Sequence, residues 1–120
     1  MAYTTHSLGF PRIGFNRELK FATEKFWQGS LTESELLKVG QEIRKRNWEL
    51  QKEKGIQLIP SNDFSFYDQI LDTIALYGAV PDRFEWDSTK NVGFDTYFAM
   101  ARGVQEKEVD DQCCQTVKIT

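Results

Sequence analysis

Two short apolar runs, each cut by a proline, limit the folds open to this chain. Ser7, Leu8, Gly9 and Phe10 stop at Pro11, and residues 56–59 stop at Pro60. Proline donates no ladder hydrogen bond, so each run can serve as a strand only up to that point. Each is followed by a loop and then by a pattern of helical period. The order read along the chain is strand, helix, helix, strand, helix. Strands alternating with helices predict an α/β fold with parallel pairing through crossovers. The runs do not alternate apolar with polar residues, as expected for a sheet covered on both faces.

The helices carry their own start and stop signals. Asn16 predicts an N-cap for a helix from 17 to about 28, with Leu19, Ala22 and Phe26 on its buried stripe and Gly29 as its stop. Thr32 and Glu35 predict a capping box, with Leu31 and Leu36 at the staple positions. Leu36, Val39, Ile43 and Leu50 continue that helix's apolar stripe. Lys38, Glu42, Arg44, Lys45, Arg46 and Lys52 read as its solvated face, and Gly55 closes it. A third helix is expected over 66–77, capped by Ser65, with Ile70, Ile74 and Tyr77 on one face beside Leu71, and Gly78 at its end. Residues 79–86 read as irregular, and 96–102 as a helical turn or two ending at Gly103.

Composition narrows the function. The chain has 120 residues, a net charge of -3, 40% hydrophobic and 13% aromatic residues. That supports one packed core and argues against a disordered tail protein. The acidic balance argues against a nucleic-acid binder. No apolar run approaches the roughly 20 residues of a membrane span, and MAYTTHSLGF lacks the features of a secretory signal, so a cytosolic location is expected. Cys113 and Cys114 are adjacent, which suits neither a relaxed disulfide nor the spaced ligands of a zinc site; two free thiols are expected. His6, the lone histidine, reads as structural or solvent-facing. Residues 105–120 are polar and poor in large apolar groups, and are expected to be weakly ordered.

Binding sites of α/β folds lie just past the carboxyl ends of the strands. Loops 11–16 and 60–65 meet that description. In the first, Arg12, Arg17 and Lys20 are opposed only by Glu18. Arg17 and Lys20 fall in the first helical turn, where cations cost a few tenths of a kcal/mol each and free N–H groups add to the positive field. An anionic ligand would offset that cost. The plainer reading is that both cations are solvated or paired with Glu18 and Glu24. No Gly-Lys-Ser/Thr ending is present, so the loop is not a Walker motif. In the second loop, Ser61, Asn62 and Asp63 read mainly as capping residues.

Four ordered segments carry a resemblance. LGFPRIGFNRELK (8–20), NWELQKEKGIQLIPSNDFSFYDQILD (47–72), GAVPDRF (78–84) and FDTYFAMARG (94–103) together resemble the start of the cobalamin-independent methionine synthase family, over about residues 7–103. The resemblance implies a partial (βα)8 TIM barrel: residues 1–104 would be the first two or three βα units of the family's N-terminal barrel, with 105–120 an atypical tail. It implies a parent methyltransferase that makes methionine from homocysteine and 5-methyltetrahydropteroyl-polyglutamate, without cobalamin and with a zinc whose ligands lie outside this chain. It places the folate polyglutamate tail on Arg17, Glu18, Leu19 and Lys20. Lys118 falls near the family's folate-contacting lysine, although Ile119 and Thr120 stand where the family has Trp and Phe. No catalytic or metal-binding residue is carried over. Neither nucleic acid nor membrane is an expected partner.

A (βα)8 barrel needs about 250 residues, so a fragment is expected, with self-association through open sheet edges. The competing reading is a non-catalytic, stand-alone interaction module. It would bury Trp27, Trp48 and Trp86 and would not bind folates.

Overall fold

The computed structural model describes residues 2–104. They form four helices: α1 (Glu18–Trp27), α2 (Glu33–Glu53), α3 (Gln69–Tyr77) and α4 (Phe94–Arg102), with a 3-10 turn at Asp82–Phe84. The chain divides into two compact units between Gln69 and Ile70. No helix among the described residues is long and apolar enough to cross a membrane.

The expected α/β fold, a partial (βα)8 barrel, is not what forms. Among the described residues there is no sheet; an isolated parallel bridge joins His6 to Leu58. The physical reason lies in the two runs themselves. A lone parallel pair must have both faces covered, and two short strands do not stabilise one another in water. Here Leu8 is 96% exposed and Leu58 is 59% exposed. The Thr5 carbonyl accepts from both Gln57 N–H (3.1 Å) and Leu58 N–H (3.0 Å), so one acceptor stands where a ladder would need several. Side chains then hold the segments: Ser7 Oγ donates to Gln51 Oε1 at 2.7 Å, and Thr5 Oγ1 donates to the Gly55 carbonyl at 3.0 Å.

The helices of the first unit follow their local signals closely. The capping box on α2 is present: Glu35 Oε2 accepts from Thr32 N–H at 2.8 Å, and Thr32 Oγ1 accepts from Glu35 N–H at 3.4 Å. Both α1 and α2 end in a left-handed glycine, Gly29 (φ 78°) and Gly55 (φ 83°). After each glycine the next N–H reaches back to a carbonyl of the last turn, Ser30 to Lys25 and Ile56 to Gln51. Only glycine adopts that backbone without strain, which is why these helices stop where they do.

Leu19 and Ala22 from α1 and Leu36 and Ile43 from α2 form the buried core of this unit. Burying a leucine contributes about 1.5–3 kcal/mol, so this small set is the main apolar contribution. The buried stripe of α2 runs Leu36, Gly40, Ile43, Asn47, Gln51, with Gly40, Asn47 and Gln51 in place of the expected Val39 and Leu50. Gly40 explains part of the difference. A Cβ there would stand 2.7 Å from Phe66 Cζ and 3.4 Å from Phe64 Cε1. The missing side chain makes room for two aromatic rings, which meet edge to face at 5.2 Å. That same packing keeps Phe66 out of the third helix. It was expected to begin at residue 66 under a Ser65 cap, but begins at Gln69, and Ser65 is buried instead.

In the second unit, α3 has no buried residue. Its expected inner face is open: Ile70 is 70% and Tyr77 79% exposed. The buried groups are Tyr97 and Phe98 on α4. Tyr97 Oη donates to Asp72 Oδ1 at 2.6 Å. Helix α4 ends at Arg102 before Gly103, as its sequence indicates.

Gly40→Ala should cost about 1–3 kcal/mol, because the added methyl displaces a packed ring. Gly93→Ala, with open space around it and an ordinary φ of -82°, should cost less than Gly40→Ala, about 0.5–1 kcal/mol, the loss of a favoured N-cap residue on α4. Urea denaturation of both variants checks the pair.

Candidate functional site

The site is the corner where loop 11–16 enters α1. Gly14 takes a left-handed conformation (φ 89°), and its carbonyl accepts from Arg17 N–H at 3.2 Å. The Ile13 carbonyl accepts from Leu19 N–H at 3.0 Å. Arg17, not Asn16, is the N-cap, and it is left-handed as well (φ 58°, ψ 34°), with no side-chain cap bond. That conformation is uncommon outside glycine and costs on the order of 1 kcal/mol.

Glu18, the first helical residue, reaches back to brace the turn that precedes α1. Its Oε2 accepts from Asn16 N–H at 3.0 Å, and its Oε1 accepts from Arg46 Nη1 at 2.8 Å. The Arg46 guanidinium, these two backbone N–H bonds (its own and that of Asn16) and the Arg46 charge together hold the Glu18 carboxyl below its ordinary value of 4.5, against the opposing effect of desolvation. An acid at a helix N-terminus also suits the dipole. The chain's own groups therefore take most of the N–H donors expected to be free for a ligand.

Arg46 lies on α2, in what reads as a solvated face. Its guanidinium carbon sits 5.0 Å from the centre of the Phe15 ring. Nε and Nη2 are buried without a hydrogen-bond partner. A Cβ on Gly14 would collide with the Glu18 carboxylate and stand 3.3 Å from Arg46 Nη2. Nothing in the spacing of α2 marked Arg46 out. The one available signal was its place three residues after Ile43, at the border of the apolar stripe.

The other expected residues are placed as follows. Leu19 is fully buried, so it is core and presents no surface to a ligand. Lys20 is 47% exposed and pairs with Glu24 at 3.7 Å. An exposed i,i+4 pair contributes only about 0.3–0.5 kcal/mol, and a ligand carboxylate can displace it. Arg17 is exposed, and its side chain makes no hydrogen bond or ion pair among the described residues. Because Arg17 is the cap and not a helical residue, it and Lys20 share the corner without sharing a helix turn. Lys118, Cys113 and Cys114 lie outside the described residues.

The two expected loops do meet. Asp63 Oδ2 accepts from Phe10 N–H at 2.8 Å, and Arg12 Nη1 donates to the Phe66 carbonyl at 3.0 Å. Between them lies an open cleft of about 270 Å³, lined by Arg12, Asp63, Ser65 and Tyr67 among others, and not by Arg17 or Lys20. Asp63 thus ties one loop to the other and does not cap a helix. No three His, Cys, Asp or Glu side chains come together to hold a metal ion among the described residues. Trp48 is 38% exposed, and its indole N–H donates to the Pro60 carbonyl at 3.1 Å.

A buried α1–α2 joint, a glycine-bearing turn and an outward-facing arginine at the helix start define a cation-bearing corner on a small helical unit. The sequence places this chain in a family. Residues 4–118 match the model described as "Cobalamin-independent synthase, N-terminal domain", and the chain belongs to that family. The match runs past residues 7–103, which carry the four quoted motifs. Among relatives, the protein named 5-methyltetrahydropteroyltriglutamate–homocysteine methyltransferase from Salinibacter ruber is 54% identical over 109 residues, which is 91% of this chain and 14% of the relative. Proteins of the same name from Flavobacterium johnsoniae and Saccharomyces cerevisiae are each 55% identical over 106 residues, 88% of this chain. The chain spans about 14% of the length of the first two of these relatives.

Two outcomes follow from the corner. Glu18 has a lowered folded-state pKa, so its pairing stabilises the chain above the ordinary value of 4.5 and is lost as the pH falls through the lowered one. Glu18→Gln should therefore flatten the acid side of the stability–pH profile, measured as thermal midpoint from pH 6 to pH 3, and an unchanged profile would contradict the pairing. Arg17→Gly should raise stability by about 1 kcal/mol by relieving the left-handed backbone. Urea unfolding reads this out, and a loss of stability would show that the arginine side chain is held in the fold.

Proposed function

We propose that this chain is the N-terminal part of a methyltransferase that moves a methyl group from 5-methyltetrahydropteroyl-polyglutamate to homocysteine, yielding methionine without cobalamin. Its local role in that reading is capture of the folate's glutamate tail by Arg17 and Lys20. Support comes from family membership and from the substrates in the relatives' names. The observation that carries the local role is the state of the charges. Glu18, the one acid between Arg12 and Lys20, is engaged by Arg46, while Arg17 faces outward with no partner among the described residues. A guanidinium offers a carboxylate two parallel N–H donors, and the ammonium of Lys20, three residues on, is there for a further one. Glu18 and Leu19 belong to the site as its frame. Lys118 remains a proposed further contact, as the resemblance implies.

The zinc that the resemblance implies finds no fitting set of donors among the described residues, so none of them is given a step through it. In this reading the chain binds and orients substrate, and the 120 residues alone transfer no methyl group. A cytosolic location is part of the same proposal.

Titration of the chain with methyl-tetrahydrofolate bearing one or three glutamates tests it. The triglutamate should bind about tenfold more tightly or better, since each added charge-assisted contact is worth about 1.5 kcal/mol or more. The advantage should shrink as salt rises from about 20 to about 300 mM, through the roughly 0.1 M at which the Debye length is about 10 Å. The double variant Arg17→Ala, Lys20→Ala should lose that advantage. Equal affinity for the two folates, or an unaffected double variant, would remove the assignment.

A further inference from the structure

The Arg46–Glu18 pair is poorly explained as a stabilising contact. Only one of the guanidinium's donor groups finds an acceptor, and Nε and Nη2 are buried without one. A buried donor left unmade carries a desolvation cost, and a partly exposed ion pair returns little. The Phe15 ring under the guanidinium recovers part of that cost through a cation–π contact at 5.0 Å. Yet an apolar side chain at this α1–α2 joint would pack there without any such cost. What the pair does achieve is local. It holds the Glu18 carboxylate on Arg46 beside Gly14, where a Cβ on Gly14 would collide with it, and Glu18 makes no ion pair with Arg17.

We propose that Arg46 is a positioning residue for the carboxylate-binding corner: it engages the Glu18 carboxylate, so that Arg17 and Lys20 meet an incoming carboxylate ligand without competition from their own neighbour. This rests on the reading of Arg17 and Lys20 given above. Without Arg46, Glu18 keeps only its backbone N–H partners, and its carboxylate charge, no longer offset by a guanidinium, lies one residue from Arg17 and two from Lys20. It then competes with the ligand both by charge and by direct pairing. Glu24, the remaining acid near the corner, holds Lys20 only through the exposed contact at 3.7 Å. Arg46 acts through Glu18 and needs no contact with the ligand.

The test is a double-mutant cycle read by affinity for methyl-tetrahydrofolate triglutamate, with Arg46→Gln and Glu18→Gln singly and together in the 120-residue chain. Arg46→Gln should weaken binding about fivefold, the effect of one unit charge some 4 Å away in a well-hydrated setting. In the Glu18→Gln background the same change should cost less than about twofold, because no carboxylate is left to withdraw. Glu18→Gln alone should raise affinity, because it takes the one competing carboxylate out of the corner while Arg46 keeps its charge. Far-UV circular dichroism and urea midpoints establish that each variant folds.

Equal weakening by Arg46→Gln in both backgrounds would mean that Arg46 touches the ligand or acts by net charge, and would overturn the proposal. Weakening by Glu18→Gln alone would reduce the pair to a structural tie and overturn it too. The Arg17→Ala, Lys20→Ala variant is carried in parallel. If it binds the triglutamate as well as the unaltered chain does, the carboxylate-capture reading fails instead. If it binds weakly while the cycle shows no coupling, Arg46 alone loses its role.

Discussion

The contact between Glu18 and Arg46 joins the start of α1 to the middle of α2, and most of the first unit is arranged around it. One carboxylate at the start of α1 accepts from Asn16 in the preceding turn and receives the guanidinium of Arg46 beside Gly14. It settles where α1 begins, one residue later than the Asn16 signal indicates. It also leaves Arg17 in a left-handed backbone with its side chain outward. The apolar core of Leu19, Ala22, Leu36 and Ile43 lies beneath and supplies the larger energy. The ion pair contributes little by comparison, but it orients the groups that a ligand would meet.

That division explains why binding and stability separate at this corner. Leu19 sits in the middle of the proposed binding segment, yet it is wholly buried. It anchors the helix so that residues 17 and 20 are presented on a fixed backbone. Arg17 does the reverse: its conformation carries strain, and its side chain makes no hydrogen bond or ion pair among the described residues. Strain at a non-glycine residue is more often retained at sites that bind than at sites that only fold.

Local signals along the chain were legible, and non-local ones were not. The Thr32–Glu35 box and the stops at Gly29 and Gly55 depend on a few neighbouring residues, and all three appear where the sequence put them. The strands depended on partners that local pattern does not supply, and residues 56–59 meet the N-terminal segment in a bridge at Leu58 alone. Phe66 was misread for a related reason. Its helical spacing is real, but Gly40, 26 positions earlier, offers its ring a place against α2. Arg46 was invisible because charge on a long amphipathic helix is ordinarily solvated; its partner is 28 residues away. Within the site, Arg17 and Lys20 were legible as charges. The fate of Glu18, on which their availability depends, was not.

The central claim is that this corner receives carboxylates through Arg17 and Lys20. The most direct measurement is an NMR titration of the 15N-labelled chain with tri-γ-glutamate lacking the pterin, following backbone amides and arginine Nε–H signals. The account predicts saturable shifts centred on residues 16–20 and on Arg46, which fade as salt rises. Shifts confined to the cleft around Arg12 and Asp63, or none at any concentration, would contradict it.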